Sequence, residues 1–291
     1  MTGNGIIRTM TLWAVLLLMA SCSIYDEYPN RRQYDVTLQL ADSSGNVLPD
    51  SVALVSEIYA FVNGVYQGKF KKEADGKVHV AFNDNDTVTF VAVAGKDTSQ
   101  YVRNEPKIGT PIQDTWLRLH TNGAGVNHQP TAIYYGSISE VPPVVDTNPQ
   151  QVITLRDIRS KVGVKIHGLR EHFGDGNYRV VIEGLHSGIC YDGTGGGDPI
   201  SYEMSGAFDS SDDWNANPAI VLPAKGDSVR VKIYSQDGAL IFDGDKDENG
   251  KPLTIKSSDN SVIVITVGST PAQITVKIVP FEDVINSGFF Q

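Results

Sequence analysis

Tyr34-Asp35-Val36-Thr37-Leu38-Gln39-Leu40 carries an apolar side chain at every second position. Side chains of a strand alternate between two faces, so Tyr34, Val36, Leu38 and Leu40 share one face and Asp35, Thr37 and Gln39 the other. On a helix the same four would scatter around the axis. The signature recurs. Val78, Val80 and Phe82 alternate with Lys77, His79 and Ala81, Val229, Val231 and Ile233 with Arg230, Lys232 and Tyr234, and Ile274, Val276 and Ile278 with Thr275 and Lys277. Val262 to Val267 is apolar almost throughout, the pattern of a strand covered on both faces. Between the runs stand Asn63-Gly64, Asp75-Gly76, Asn122-Gly123, Asp192-Gly193, Asp237-Gly238 and Asn249-Gly250. Such pairs supply the positive φ angles of tight hairpins. No stretch of ten residues has helical periodicity. The expected fold is all-β, built from antiparallel β-sandwiches.

The N-terminus reads differently. Arg8 precedes a run from Met10 to Ala20 that is apolar but for Thr11. That run is shorter than the roughly 20 residues a spanning helix needs, and it has the form of an export signal. It ends in Met19-Ala20-Ser21-Cys22, which resembles the lipobox of bacterial lipoproteins, with Met19 in place of the usual Leu. The resemblance implies that the Cys22 thiol is acylated and becomes the first mature residue. Several acyl chains on one residue make a stable membrane hold, at about 0.8 kcal/mol per buried CH₂. Asp26 and Glu27 follow in a polar tether, and acidic residues at that place resemble a surface-export signal.

Pro142-Pro143 and Asn148-Pro149 precede a joint near Arg156 to Ser160, after which a strand is expected from Val162 to His167. The expected organisation is a signal peptide over 1–21, a lipidated tether over 22–33, and two sandwiches over 34–155 and 156–291. Each half is of ordinary domain size.

Chemistry is sparse. The chain has 34 acidic and 24 basic residues and a net charge of −10, without the basic stripe that nucleic acid requires. Cys22 and Cys190 are the only cysteines, too few for a disulfide framework or a Cys-ligated zinc. Cys190, between Ile189 and Tyr191, reads as a small core residue. Asp243 to Gly250 is rich in carboxylates, but Glu248 and Thr254 stand where a calcium loop of the EF-hand type needs Gly and Glu. The segment reads as a solvated hairpin tip. Gly193 to Gly197 lacks the Lys-Ser/Thr and the helix of a phosphate loop. Ser187 misses the spacing of a nucleophile elbow. The six histidines have no paired spacing. Trp116, in an alternating segment, is expected in the core. Trp214, in the polar stretch Ser210 to Asn217, is the better candidate for stacking on a sugar. No catalytic residue, metal ligand or cofactor site is expected.

The start Cys22-Ser23-Ile24-Tyr25-Asp26-Glu27, the joint Thr154 to Ile166 with its strand–Arg–strand pattern, Ile58-Tyr59-Ala60-Phe61 before Asn63-Gly64, and Ile189 to Gly193 together resemble the FimB-type fimbrillin-associated anchor family. The resemblance implies two transthyretin-like sandwiches on a lipidated N-terminus at the outer membrane. It also implies fimbrial pilin subunits as partners, engaged by strand exchange, and no catalysis. A sheet edge that accepts a foreign strand serves that role. The first strand, Tyr34 to Leu40, is expected to be such an edge, and Arg31-Arg32 before it is expected to stay uncut. A glycan-binding lipoprotein of a nutrient-uptake system is the second reading. A jelly-roll hydrolase, which needs two facing carboxylates, is the third.

Overall fold

A computed structural model of the chain describes residues 31–83, 85–95, 97–120, 130–140, 150–268, 273–281 and 283. In chain order the first strands are β1 (Arg31–Ala41), β2 (Val47–Leu48), β3 (Glu57–Val62), β4 (Val65–Lys71), β5 (Lys77–Asn83) and β6 (Val88–Ala94). Then come β7 (Tyr101–Arg103), β8 (Trp116–Leu119), β9 (Tyr134–Glu140), β10 (Gln150–Asp157) and β11 (Ser160–His167). After the short helix α1 (Leu169–Phe173) follow β12 (Arg179–Cys190), β13 (Gly195–Phe208), β14 (Trp214–Ala216) and β15 (Ala219–Val221). The last are β16 (Arg230–Tyr234), β17 (Leu240–Gly244), β18 (Ser261–Val267) and β19 (Ile274–Pro280). The fold is all-β, as the alternation requires. The turn dipeptides within the described residues sit where hairpins turn; Asn63 and Gly64, with φ of +51° and +78°, reverse the chain between β3 and β4.

The first sheet has the order β2-β1-β10-β9-β6-β3-β4, with β5 also on β1. The second runs β17-β16-β12-β13-β14-β11-β18-β19, with β15 on β11, β8 on β12 and β7 on β8. Two expectations are corrected here. β1 is not an edge: β5 pairs with it antiparallel along Arg31–Thr37, and β10 pairs with it along Asp35–Ala41. Tyr34, Val36 and Leu40 are all fully buried, but a buried face does not decide whether a strand is an edge; its two hydrogen-bonding flanks are taken by β5 and β10, which come from distant parts of the chain. The sheets are also not purely antiparallel. β1–β10 and β11–β18 are parallel ladders, each closing a long stretch of chain.

One core lies inside the first sheet and includes Tyr34, Val36, Ile58, Ala60, Val78, Phe90 and Leu155. A larger one joins the two sheets. Tyr59 and Phe61 of β3 and Val91 and Val93 of β6 point away from the first core and pack with Leu117, Ile189 and Tyr191 of the second sheet's side. Strand β3 is therefore buried on both faces. Tyr191 locks the contact: its ring meets Tyr59 edge-on at 4.9 Å, and its carbonyl accepts the Tyr135 hydroxyl at 2.8 Å.

Candidate functional site

Cys22 lies outside the described residues, whose first strand starts at Arg31, nine positions later. The described candidates divide cleanly. Asp243 and Asp245 face Arg230, at 2.6 and 3.8 Å, and Asp247 accepts the N–H groups of Asn249 and Lys251 at 2.8 Å. The stretch is a hairpin tip with its three aspartates engaged. Among the described residues no cluster of three ligating side chains is placed to hold a metal. Cys190 is buried, and burial pushes its thiol pKa up, away from the reactive thiolate.

The two tryptophans exchange the places expected of them. Trp214 is fully buried, because the polar residues before it form a tight turn rather than an open loop. The Asp209 carboxylate accepts the N–H groups of Ser211 and Asp213 at 2.8 and 3.1 Å, and Trp214 then starts β14 between β13 and β11. Trp116 on β8 is only half-buried, with the Arg118 guanidinium 3.9 Å from its ring centre. Residues two apart on a strand share a face, so this pair follows from the spacing.

His186 and Asp227 form the tightest acid–imidazole pair of the second sheet. His186 Nδ1 donates to Asp227 Oδ1 at 2.6 Å, and Asp227 also accepts the Ala224 N–H at 3.1 Å. Asp227 is buried and fully used in tying β12 to the turn before β16. The pair reads as a fastening, since Asp227 spends its carboxylate on backbone as well as on imidazole.

The distinctive region is the joint between the sheets. Only Ile158 and Arg159 separate β10 from β11. Arg159 Nε donates to both carboxylate oxygens of Asp157 at 3.0 Å, Nη2 adds a bond of 2.6 Å, and Nη1 donates to the Pro130 carbonyl at 2.9 Å. The Ile158 N–H bonds the Ile133 carbonyl at 3.0 Å. Ser258 Oγ donates to the Asp157 carbonyl and Ser160 Oγ to that of Lys256. These bonds fasten the segment Thr254–Ser258 against the joint. Beside it opens a groove of about 610 Å³, with β9 and β10 on one wall and Ala224–Asp227 and Thr254–Ser258 on the other. Nothing in the local sequence marked this groove, since its lining comes from five separated stretches.

Comparison with known proteins places this architecture. The model of the family described as fimbrillin-A associated anchor proteins Mfa1 and Mfa2 matches residues 51–287. No curated protein sequence matches. Among solved structures, the fimbrial anchor protein Mfa2 from Porphyromonas gingivalis is 18% identical, with a TM-score of 0.59 over 86% of this chain and 98% of that one. A candidate adhesin from Bacteroides ovatus is 14% identical, with a TM-score of 0.53 over 89% and 96%. A candidate polysaccharide-binding protein from Bacteroides thetaiotaomicron is 16% identical, with a TM-score of 0.52 over 86% and 98%. The structural likenesses carry the fold, and the family match carries the membership. The chain belongs to the Mfa2 family of fimbrillin-A associated anchor proteins.

Proposed function

We propose that this protein is held in the outer membrane by an acylated Cys22 and there anchors or terminates a strand-exchange fimbria, without catalysis. The family match over residues 51–287 carries the reading. It is supported by a molecule rich in strands and by the imidazoles of His79, His167 and His186, which are held by Asp35, Asp213 and Asp227. We also propose two units, 34–155 and 156–291, the first lending Tyr101–Leu119 to the second sheet. Retention of the first strand fits an anchor: Arg31 and Arg32 lie inside β1, opposite Asn83 and Phe82, and Arg32 is buried. A protease that needs an extended, accessible arginine meets a paired strand there. Loss of β1 would also strip the lipid at Cys22 from both sheets. The glycan-binding alternative loses its best platform, because Trp214 is buried.

The experiment is Cys22→Ala in the native host. The variant is expected to leave the membrane fraction, keep a folded core and lose the fimbriae from the cell surface. A variant that stays membrane-bound after a high-salt wash would refute anchoring through this residue. Fimbriae retained on cells from which the protein has been released would refute the anchor role.

A further inference from the structure

From the groove at the joint we infer a docking site for an extended, acidic segment of the fimbrial subunit, added as a strand along Thr254–Lys256. The inference rests on the fimbrial reading above and names where the partner sits.

Three observations converge. The first is charge. Arg156, Lys225 and Lys256 line the groove, all exposed, and none has a carboxylate within ion-pair distance among the described residues. In a chain with ten more acidic than basic residues, three such cations around one opening form a local field of the opposite sign. The one carboxylate lining the groove, Asp227, is already held by His186 and the Ala224 N–H.

The second is backbone. Thr254, Ile255 and Lys256 belong to no strand, and none of their N–H groups donates a hydrogen bond to a described residue. The segment is nonetheless fastened at its C-terminal end. Lys256 O accepts Ser160 Oγ, Ser258 Oγ reaches Asp157 O, and Ser257 Oγ donates to Pro223 O at 2.7 Å. A rigid stretch with unspent donors is what strand addition uses.

The third is the floor. Ile158, Ile189 and Ile255 line the groove and are almost wholly buried. An incoming strand presents one apolar and one polar face, so its apolar side chains meet this floor while its carboxylates meet the cationic rim. Charge complementarity thus commits the occupant to an acidic strand.

The test uses the full mature protein and the major fimbrial subunit purified from the same bacterium. Binding is measured between 50 and about 300 mM salt, with amide exchange followed at residues 254–256. The wild type is expected to bind with a strong salt dependence and to gain protection at those amides. Arg156→Glu/Lys225→Glu/Lys256→Glu is expected to lose at least about tenfold in affinity, one decade being 1.4 kcal/mol. Lys277→Glu on β19 serves as the charge control and is expected to bind as wild type. Equal binding by the triple variant, or binding without protection at 254–256, overturns the inference and leaves the fimbrial reading standing. Absence of wild-type binding removes both. Displacement of the subunit by polygalacturonate, without amide protection in its presence or absence, assigns the groove to an acidic glycan and also overturns the inference.

Discussion

Arg159 turns back on Asp157, two residues before it, and clamps both oxygens of its carboxylate while its remaining arm holds the Pro130 carbonyl. The connection between β10 and β11 is thereby rigid at its one loose point. A planar guanidinium suits the task, because a single side chain satisfies a carboxylate and a distant backbone at once. Both side chains are largely shielded, at 26% and 30% exposure, so the bonds are not merely surface pairs.

Arg159→Ala is expected to cost about 2 kcal/mol, the range for hydrogen bonds to charged groups in partly buried settings. The measurement is the urea midpoint at unchanged m-value. Arg159→Lys should recover little, since an ammonium cannot span carboxylate and carbonyl together. Full recovery by lysine would show that charge alone matters at the joint.

The tryptophans separate by burial. Trp214→Ala removes a fully buried side chain and is expected to cost about 3–5 kcal/mol. Trp116→Ala removes a half-buried ring whose partner is Arg118, and a cation–π contact at such a site is worth about 0.5–1 kcal/mol. Denaturant unfolding of both variants reads the contrast. Comparable losses would mean that Trp116 belongs to the core as the alternation suggested.

His79 joins three places: its Nδ1 lies 2.7 Å from Asp35 on β1 and its Nε2 lies 2.9 Å from Asp75 in the turn before β5. The hydrogen bond to Asp35, then that to Asp75, raises its pKa above the ordinary 6.5. A raised folded-state pKa means that this contribution to stability is complete below about pH 6.5 and fades as pH rises through the folded value. Proton NMR titration is expected to place His79 above 6.5, with Asp35→Asn lowering it more than Asp75→Asn. The reverse order would mean that the turn, not the β1–β5 pairing, holds the imidazolium.

Alternation made the strands legible because it is a local property of each run, and the Asn-Gly and Asp-Gly pairs marked hairpins for the same reason. Partner choice between strands is not local. Tyr34 to Leu40 reads as a strand from its own residues, yet its parallel partner β10 begins more than a hundred positions later, so its central place could not be seen. Trp116 and Leu117 likewise carry no mark of pairing with Cys190 and Ile189 across to the second sheet. Trp214 was misread because Asp209 to Asp213 has the composition of a loop, while the capping bonds of Asp209 make it a turn that feeds β14. The joint stood out through Asp157-Ile158-Arg159, but the groove beside it exists only once five segments meet.

Lys165 gives the sharpest energetic test. Its side chain is 3% exposed, on β11, with Nζ 3.1 Å from Asp213 and 3.5 Å from Asp209, whose own exposures are 15% and 28%. The desolvated member is therefore the cation. The carboxylates have other support: Asp209 accepts Asn215 Nδ2 at 2.8 Å and two backbone N–H groups, and Asp213 accepts His167 Nδ1 at 2.7 Å. Burial alone would raise the Asp209 pKa, but those bonds and the Lys165 charge bring it below the usual carboxylate value. Stability from Asp209 is thus present at neutral pH and lost as pH falls through that lowered value. Asp209→Ala/Asp213→Ala takes both of these carboxylates from a buried ammonium and is expected to cost about 3–5 kcal/mol. Lys165→Met keeps the packing of the stem and leaves the carboxylates their remaining donors, so about 1 kcal/mol is expected, the net worth of an ordinary hydrogen-bonded contact. Chemical unfolding at pH 7 compares the two. Equal losses would show that the anions, rather than the cation, are the groups that cannot stand alone, and the reading of this buried triad would be reversed.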